Sequence, residues 1–189
     1  MPRKDFSREV VFDEEHSFGR VFKIIPSKQI KTLSMRWTMP VSKMTCRKKS
    51  AHYLSHVLGH EGPNSLLSEL IRASLATGLS AGSSARLNQS FDIFAITISL
   101  TDKGEKDYKR VMELVYMYIN QIRDLGPQEY IYTEMQQKHL IDFQMLSKTK
   151  AVQYANAIGR RMAYVPDDPD MDNVVRFQYA YEDFEAKDI

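Results

Sequence analysis

The chain has 189 residues, 43% of them hydrophobic, and 26 Lys+Arg against 24 Asp+Glu leave a formal charge of only +2. That length can bury one α/β core, and the balanced charge gives no bias toward nucleic acid, membrane surfaces or acidic partners. A lone cysteine, Cys46, excludes an internal disulfide framework and suits a reducing, cytoplasmic setting, while no apolar stretch is long enough for a membrane span or a secretory leader in the chain as given.

Residues 1–19 are polar and without period, and read as a lead-in to a domain over 20–189. Arg20–Pro26 (RVFKIIP) is a short apolar run closed by proline, which predicts a strand. In Lys31–Pro40, Leu33, Met35, Trp37 and Met39 alternate with polar residues, the period of a half-buried strand. Val41–Lys49 is a basic loop with no aromatic platform for nucleic acid. A helix over Ser50–Leu58, with Ser50 as N-cap, ends at Gly59. A second helix, capped by Asn64, is expected to carry Leu66, Leu67, Leu70, Ile71 and Leu75 on its buried face and to stop at Gly78.

Leu79–Asn88 is small and polar around Gly82, the composition of an extended segment that another backbone can approach. Ser90–Leu100 (SFDIFAITISL) predicts a strand with both faces covered. Thr101 caps what reads as the longest helix, running to Leu125 with a stripe from Val111, and Gly126-Pro127 closes it. Helices over 128–146 and 149–161 follow, then an acidic loop, 165–172, and a weakly helical tail. The order predicts an α+β fold, a mainly antiparallel sheet with helices packed on one face.

His52, His56 and His60 recur every fourth residue, so His56 and His60 share a helix face. Two histidines with an intervening acid, H-x-x-E-H, bind zinc and hold a general base at its water. Here the run is His56-Val57-Leu58-Gly59-His60, with glycine where the base would stand. Glu61, two residues on, lies about 200° round the helix from that position, or beyond the helix end if Gly59 breaks it, and does not replace it. The residues therefore predict no catalytic group and no metal in this domain. A bare zinc site of His56, His60 and Glu134 is the alternative that metal analysis would reveal.

The run from His52 through Gly59-His60-Glu61-Gly62-Pro63 to Leu70 resembles the pitrilysin/insulinase family of zinc metallopeptidases, insulysin/nardilysin type. The likeness continues through Ile98–Gly104 and Leu125–Glu129, and faintly in Tyr181–Phe184, so it spans nearly the whole chain. It implies the second, non-catalytic domain of the N-terminal half, with zinc held in a separate catalytic domain. It further implies a piece of a larger protein, whose domain would continue past Ile189 into another helix and strand.

In insulysin-like enzymes this domain resembles an exosite that grips the N-terminal end of a peptide, and the likeness implies the same role here. The matching residues here are His56, Gly59, Glu61, Leu79 and Ala81. Peptide substrates and other domains of the same polypeptide are thus the implied partners, with neither nucleic acid nor membrane. Chemically, Glu61 offers a carboxylate to an α-ammonium group, and the extended segment offers main-chain groups to a peptide strand. Ala81 and Asn64 stand where the family usually has glycine, and Ser80–Leu87 departs from it. The alternative is a purely structural copy that only completes a closed chamber.

Overall fold

The structure, a computed structural model, describes residues 12, 18–39, 47–83, 91–162 and 171–189. Two compact units divide the chain: residues 1–41 with 54–121, and residues 42–53 with 122–189. Three strands and seven α-helices are described, an α+β fold as expected.

The first unit holds the sheet. Strand β1 (Thr32–Met39) and β2 (Ala76–Ser83) both pair antiparallel with the central β3 (Asp92–Leu100), giving the order β1-β3-β2. Register aligns Met35 with Ile96 and Ala81, and Leu33 with Ile98 and Leu79. Directly opposed residues share a face, so these side chains form one apolar layer. Ile96 and Ile98 are completely buried, while Arg36, Ser80 and Ser99 on the other face are exposed. The expectation that both faces of β3 would be covered is therefore corrected. Its second face is polar toward Ser99 and only half-buried at Ile93 and Ala95.

Helix α1 spans Ser50–Leu58 as expected, but Lys49 rather than Ser50 precedes it, its carbonyl accepting the first helical bond from the Tyr53 N–H at 2.8 Å. Helix α2 spans Leu66–Arg72. Its cap is Ser65, not Asn64: the Ser65 hydroxyl accepts from the Ser68 N–H at 3.2 Å, while Asn64 turns the chain at φ +63°. The helix also stops well before Gly78. Ser74, at φ +59°, donates its N–H to the Ile71 carbonyl, and the Leu75 N–H donates to Leu70. That pair of bonds is a Schellman stop built on a serine instead of the usual glycine. Leu75 consequently leads into β2 and is buried there instead of on a helix face.

The long helix expected over 101–125 is two. Thr101 caps a short α3 (Asp102–Lys106), accepting from the Gly104 N–H at 3.0 Å, and Asp107 breaks the run before α4 (Tyr108–Leu125). On α4 the stripe is deeply buried only at Val111 and Val115, and Leu125 is exposed. The strand expected over Arg20–Pro26 is absent: the segment has no regular structure, and Phe22, Ile24 and Ile25 are exposed. A strand needs a hydrogen-bonded neighbour, and no described strand pairs with this segment.

The second unit is helical. Helices α5 (Glu129–Gln144), α6 (Ala151–Met162) and α7 (Met171–Arg176) are followed by a 3₁₀ turn at Ala186–Asp188. Tyr132 is its anchor, packed against Tyr181 and Phe184 with ring centroids at 5.3 and 5.5 Å. Its hydroxyl donates to the Glu182 carbonyl at 3.0 Å, and the Glu182 N–H donates to the Arg47 carbonyl at 3.1 Å. Burial first, then the nearby acids Glu182, Asp183 and Asp188, push the Tyr132 phenol up to about 12. The C-terminal segment is thus pinned by the packing of Tyr181 and Phe184 on the buried Tyr132 ring and by a Lys48–Asp188 ion pair at 2.7 Å. Lead-in residues 1–11, the loop segment 41–46, the extended segment past Ser83 and most of the acidic loop lie outside the described residues.

Candidate functional site

All five residues singled out for substrate contact lie in the first unit. They come from two elements: the C-terminal end of α1 with the turn after it, and the strand β2. What joins the elements is Gly59. A Cβ built on it would stand 2.7 Å from the Ser55 carbonyl oxygen, 3.8 Å from the Ala81 nitrogen and 3.9 Å from the Ala81 Cβ. The end of α1 therefore runs against the middle of β2, and the backbone brought close to Gly59 is that of Ala81.

β2 is an edge. Among the described residues β3 is its only strand neighbour, which leaves one row of main-chain N–H and C=O groups without a strand partner. The register sends Leu79 and Ala81 to the same face as Ile98 and Ile96. Their side chains are half-buried, so a strand laid along this edge would be read mainly through main-chain groups.

His56, His60 and Glu61 are exposed. The His56 and His60 rings meet edge-to-face with centroids 6.5 Å apart, and His60 Nδ1 accepts from the Gly62 N–H at 3.1 Å. This hydrogen bond ties the turn after α1 and sets Glu61 between His60 and the Gly62-Pro63 corner. His52, one helical turn earlier, does not continue the row chemically. Its ring lies against His139 in the second unit, with centroids 4.9 Å apart.

The residues do not fit a zinc ion. The carboxylate of the catalytic motif is absent at Gly59, and one imidazole nitrogen of His60 already accepts a backbone bond. Among the described residues no group of three His, Cys, Asp or Glu side chains could hold a metal.

Sequence reasoning overlooked one cluster, around His139 of the second unit. Its Nδ1 bonds to the Tyr181 hydroxyl, and Tyr179 and Tyr181 ring it at centroid distances of 6.4 and 5.2 Å. Lys49 lies over Tyr181 at 5.5 Å and donates to the Phe177 carbonyl at 3.1 Å. Burial, then the neighbouring Lys49 charge, holds the imidazole below its ordinary value, and burial raises the Tyr181 phenol. The only sequence signal was the aromatic spacing of 177–184, which carries no helical or strand period.

A family model described as the peptidase M16 inactive domain matches residues 3–138. Nardilysin of Rattus norvegicus is 28% identical over 169 residues, covering 88% of this chain and 15% of its own length. The insulin-degrading enzyme of Homo sapiens is 30% identical over 173 residues, covering 92% of this chain and 16% of its own length. In a crystal structure of pitrilysin the likeness has a TM-score of 0.77 at 25% identity, over 86% of this chain and 17% of that one. The chain thus spans about a sixth of the length of the proteins it matches. No helix among the described residues is long and apolar enough to cross a membrane. The matched stretch covers well over half of the sequence and includes both α1 and β2, and the chain belongs to the peptidase M16 family as a copy of its inactive domain.

Proposed function

We propose that the chain is the substrate-anchoring domain of an insulysin/nardilysin-type zinc metalloendopeptidase that degrades peptides in the cytoplasm, with zinc held by a separate catalytic domain. The observation that supports this reading is the seating of Gly59, which lies between His56 and Glu61 in the sequence, against Ala81 of an edge strand. A peptide added to that edge pairs through its backbone, and this tolerates many sequences. Glu61 supplies what backbone pairing lacks, a charge for the free α-ammonium group at the peptide's end. Gly59 keeps the helix end from crowding the strand, and Leu79 and Ala81 hold β2 in place from its apolar side. The domain then selects for a free N-terminus instead of for sequence.

The test is amide hydrogen exchange on the intact polypeptide with and without a peptide ligand. Protection of residues 79–82 on binding is expected, with smaller changes over 56–61. Binding without protection there would overturn the anchoring role and favour the purely structural copy.

A further inference from the structure

The backbone of Glu61 is bracketed on both sides. Before it, the Gly59 N–H donates to the Ser55 carbonyl at 2.9 Å and closes α1, while Gly59 itself is seated against Ala81. After it, Gly62-Pro63-Asn64-Ser65 makes a tight turn, in which the Ser65 N–H donates to the Gly62 carbonyl at 3.2 Å and Asn64 stands at φ +63°. Proline second and a left-handed residue third are what a type II turn asks for, and asparagine takes that φ readily. The turn delivers Ser65 to cap α2.

Between these two fixed points, one bond spans Glu61 itself: the Gly62 N–H donates to His60 Nδ1 at 3.1 Å. The imidazole folds back on its own chain so closely that a Cβ on Gly62 would overlap His60 Cε1. Burial does not explain the ring's place, since His60 is exposed. Nδ1 is the unprotonated nitrogen of this ring, because only a nitrogen with a free lone pair accepts.

We propose that His60 is the positioning residue of the anchor, holding the backbone that carries the Glu61 carboxylate. The inference rests on the anchoring reading above. A glutamate on a loose loop must be ordered as it takes up a ligand, and that ordering weakens binding. A backbone already held loses less. One exposed hydrogen bond adds little to global stability, so its effect belongs at the residue it spans.

The test is binding of one peptide, with a free and with an acetylated N-terminus, to the intact polypeptide carrying His60→Phe, His60→Asn or Gly62→Ala. His60→Phe keeps a ring and removes the acceptor. His60→Asn removes the ring and offers an oxygen at about the reach of Nδ1. Gly62→Ala drives the imidazole from its seat by overlap. The readout is the affinity for the free peptide over that for the acetylated one. This ratio should fall about three- to tenfold for His60→Phe and Gly62→Ala, and stay within about twofold of the unsubstituted protein for His60→Asn. Affinity for the acetylated peptide should hold in all three, because that ligand does not call on the Glu61 charge. An unchanged ratio in His60→Phe would overturn the proposal. So would an equal loss for both peptides, which assigns His60 to the fold alone, or a His60→Asn as poor as His60→Phe, which removes the acceptor as the cause. A ratio near one in the unsubstituted protein would instead sink amine recognition itself and this proposal with it, so the two failures are told apart.

Discussion

Gly104 of α3 lies directly against the backbone of Leu75: a Cβ on Gly104 would overlap the Leu75 carbonyl oxygen and stand 2.9 Å from its carbonyl carbon. The same junction is stitched by the Thr101 N–H donating to the Leu75 carbonyl at 3.1 Å and the Thr101 hydroxyl donating to the Ser74 carbonyl at 2.8 Å. Alanine is ordinarily favoured over glycine within a helix by about 1 kcal/mol. At this position the overlap with backbone outweighs that gain, so Gly104→Ala should destabilise by about 1–3 kcal/mol. Thermal melting reads this as roughly 2–4 °C lost per kcal/mol in a chain this size. Gly159→Ala, whose Cβ meets open space, is the matched control and should raise the midpoint slightly.

Tyr53 tests a longer tie. It is 2% exposed, and its hydroxyl accepts from the Gln128 N–H at 2.8 Å, just ahead of α5. Gln128 itself makes no side-chain cap bond, so Tyr53 supplies the partner for this end of the helix. Tyr53→Phe keeps the packing and orphans the N–H, at a cost of about 1–2 kcal/mol. Denaturant titration should show a lower midpoint with an unchanged slope.

His139 predicts an acid-side loss of stability. Burial, with Lys49 and Lys138 nearby and only Asp142 opposing them, depresses its pKa below the ordinary 6.5. In the window below 6.5 the unfolded chain takes up a proton that the folded one refuses. Stability is therefore complete above that value and falls as pH drops through it toward the folded pKa. The melting temperature should decline in this range before the carboxylates begin to titrate. His139→Gln should flatten the decline, and an unchanged profile would show that another group is responsible.

With glycine in the place of the general base, the 189-residue chain supplied with zinc should not cleave a quenched fluorescent peptide above background. Chelator-sensitive turnover that survives further purification would contradict this.

The legible parts of the fold were those set by periodicity. Met35 and Trp37 alternate cleanly, and so do Ile96 and Ile98, so β1 and β3 lie where the pattern put them. Breaks made by unusual residues were not legible. Ser74 turns left-handed to end α2, and Asp107 parts α3 from α4 without a glycine or proline to announce it. The apolar run at 20–26 misled because hydrophobicity does not show whether a strand will find a neighbour. For the candidate site, the five residues came from a family likeness, but the likeness did not show that Gly59 and Ala81 touch. The His139 cluster was invisible because its members are spread over 49–181 and meet only through tertiary packing.

The central claim is that Glu61 holds a peptide's free amine. Glu61→Gln removes the charge and keeps the shape, so binding by the intact polypeptide should be compared for one peptide with a free and with an acetylated N-terminus. A charge-assisted hydrogen bond is worth about 1.5–3 kcal/mol, so the free peptide should lose about one to two decades of affinity. The acetylated peptide has no charge to lose and should bind both forms alike. Equal losses for the two peptides, or no loss for either, would contradict the account.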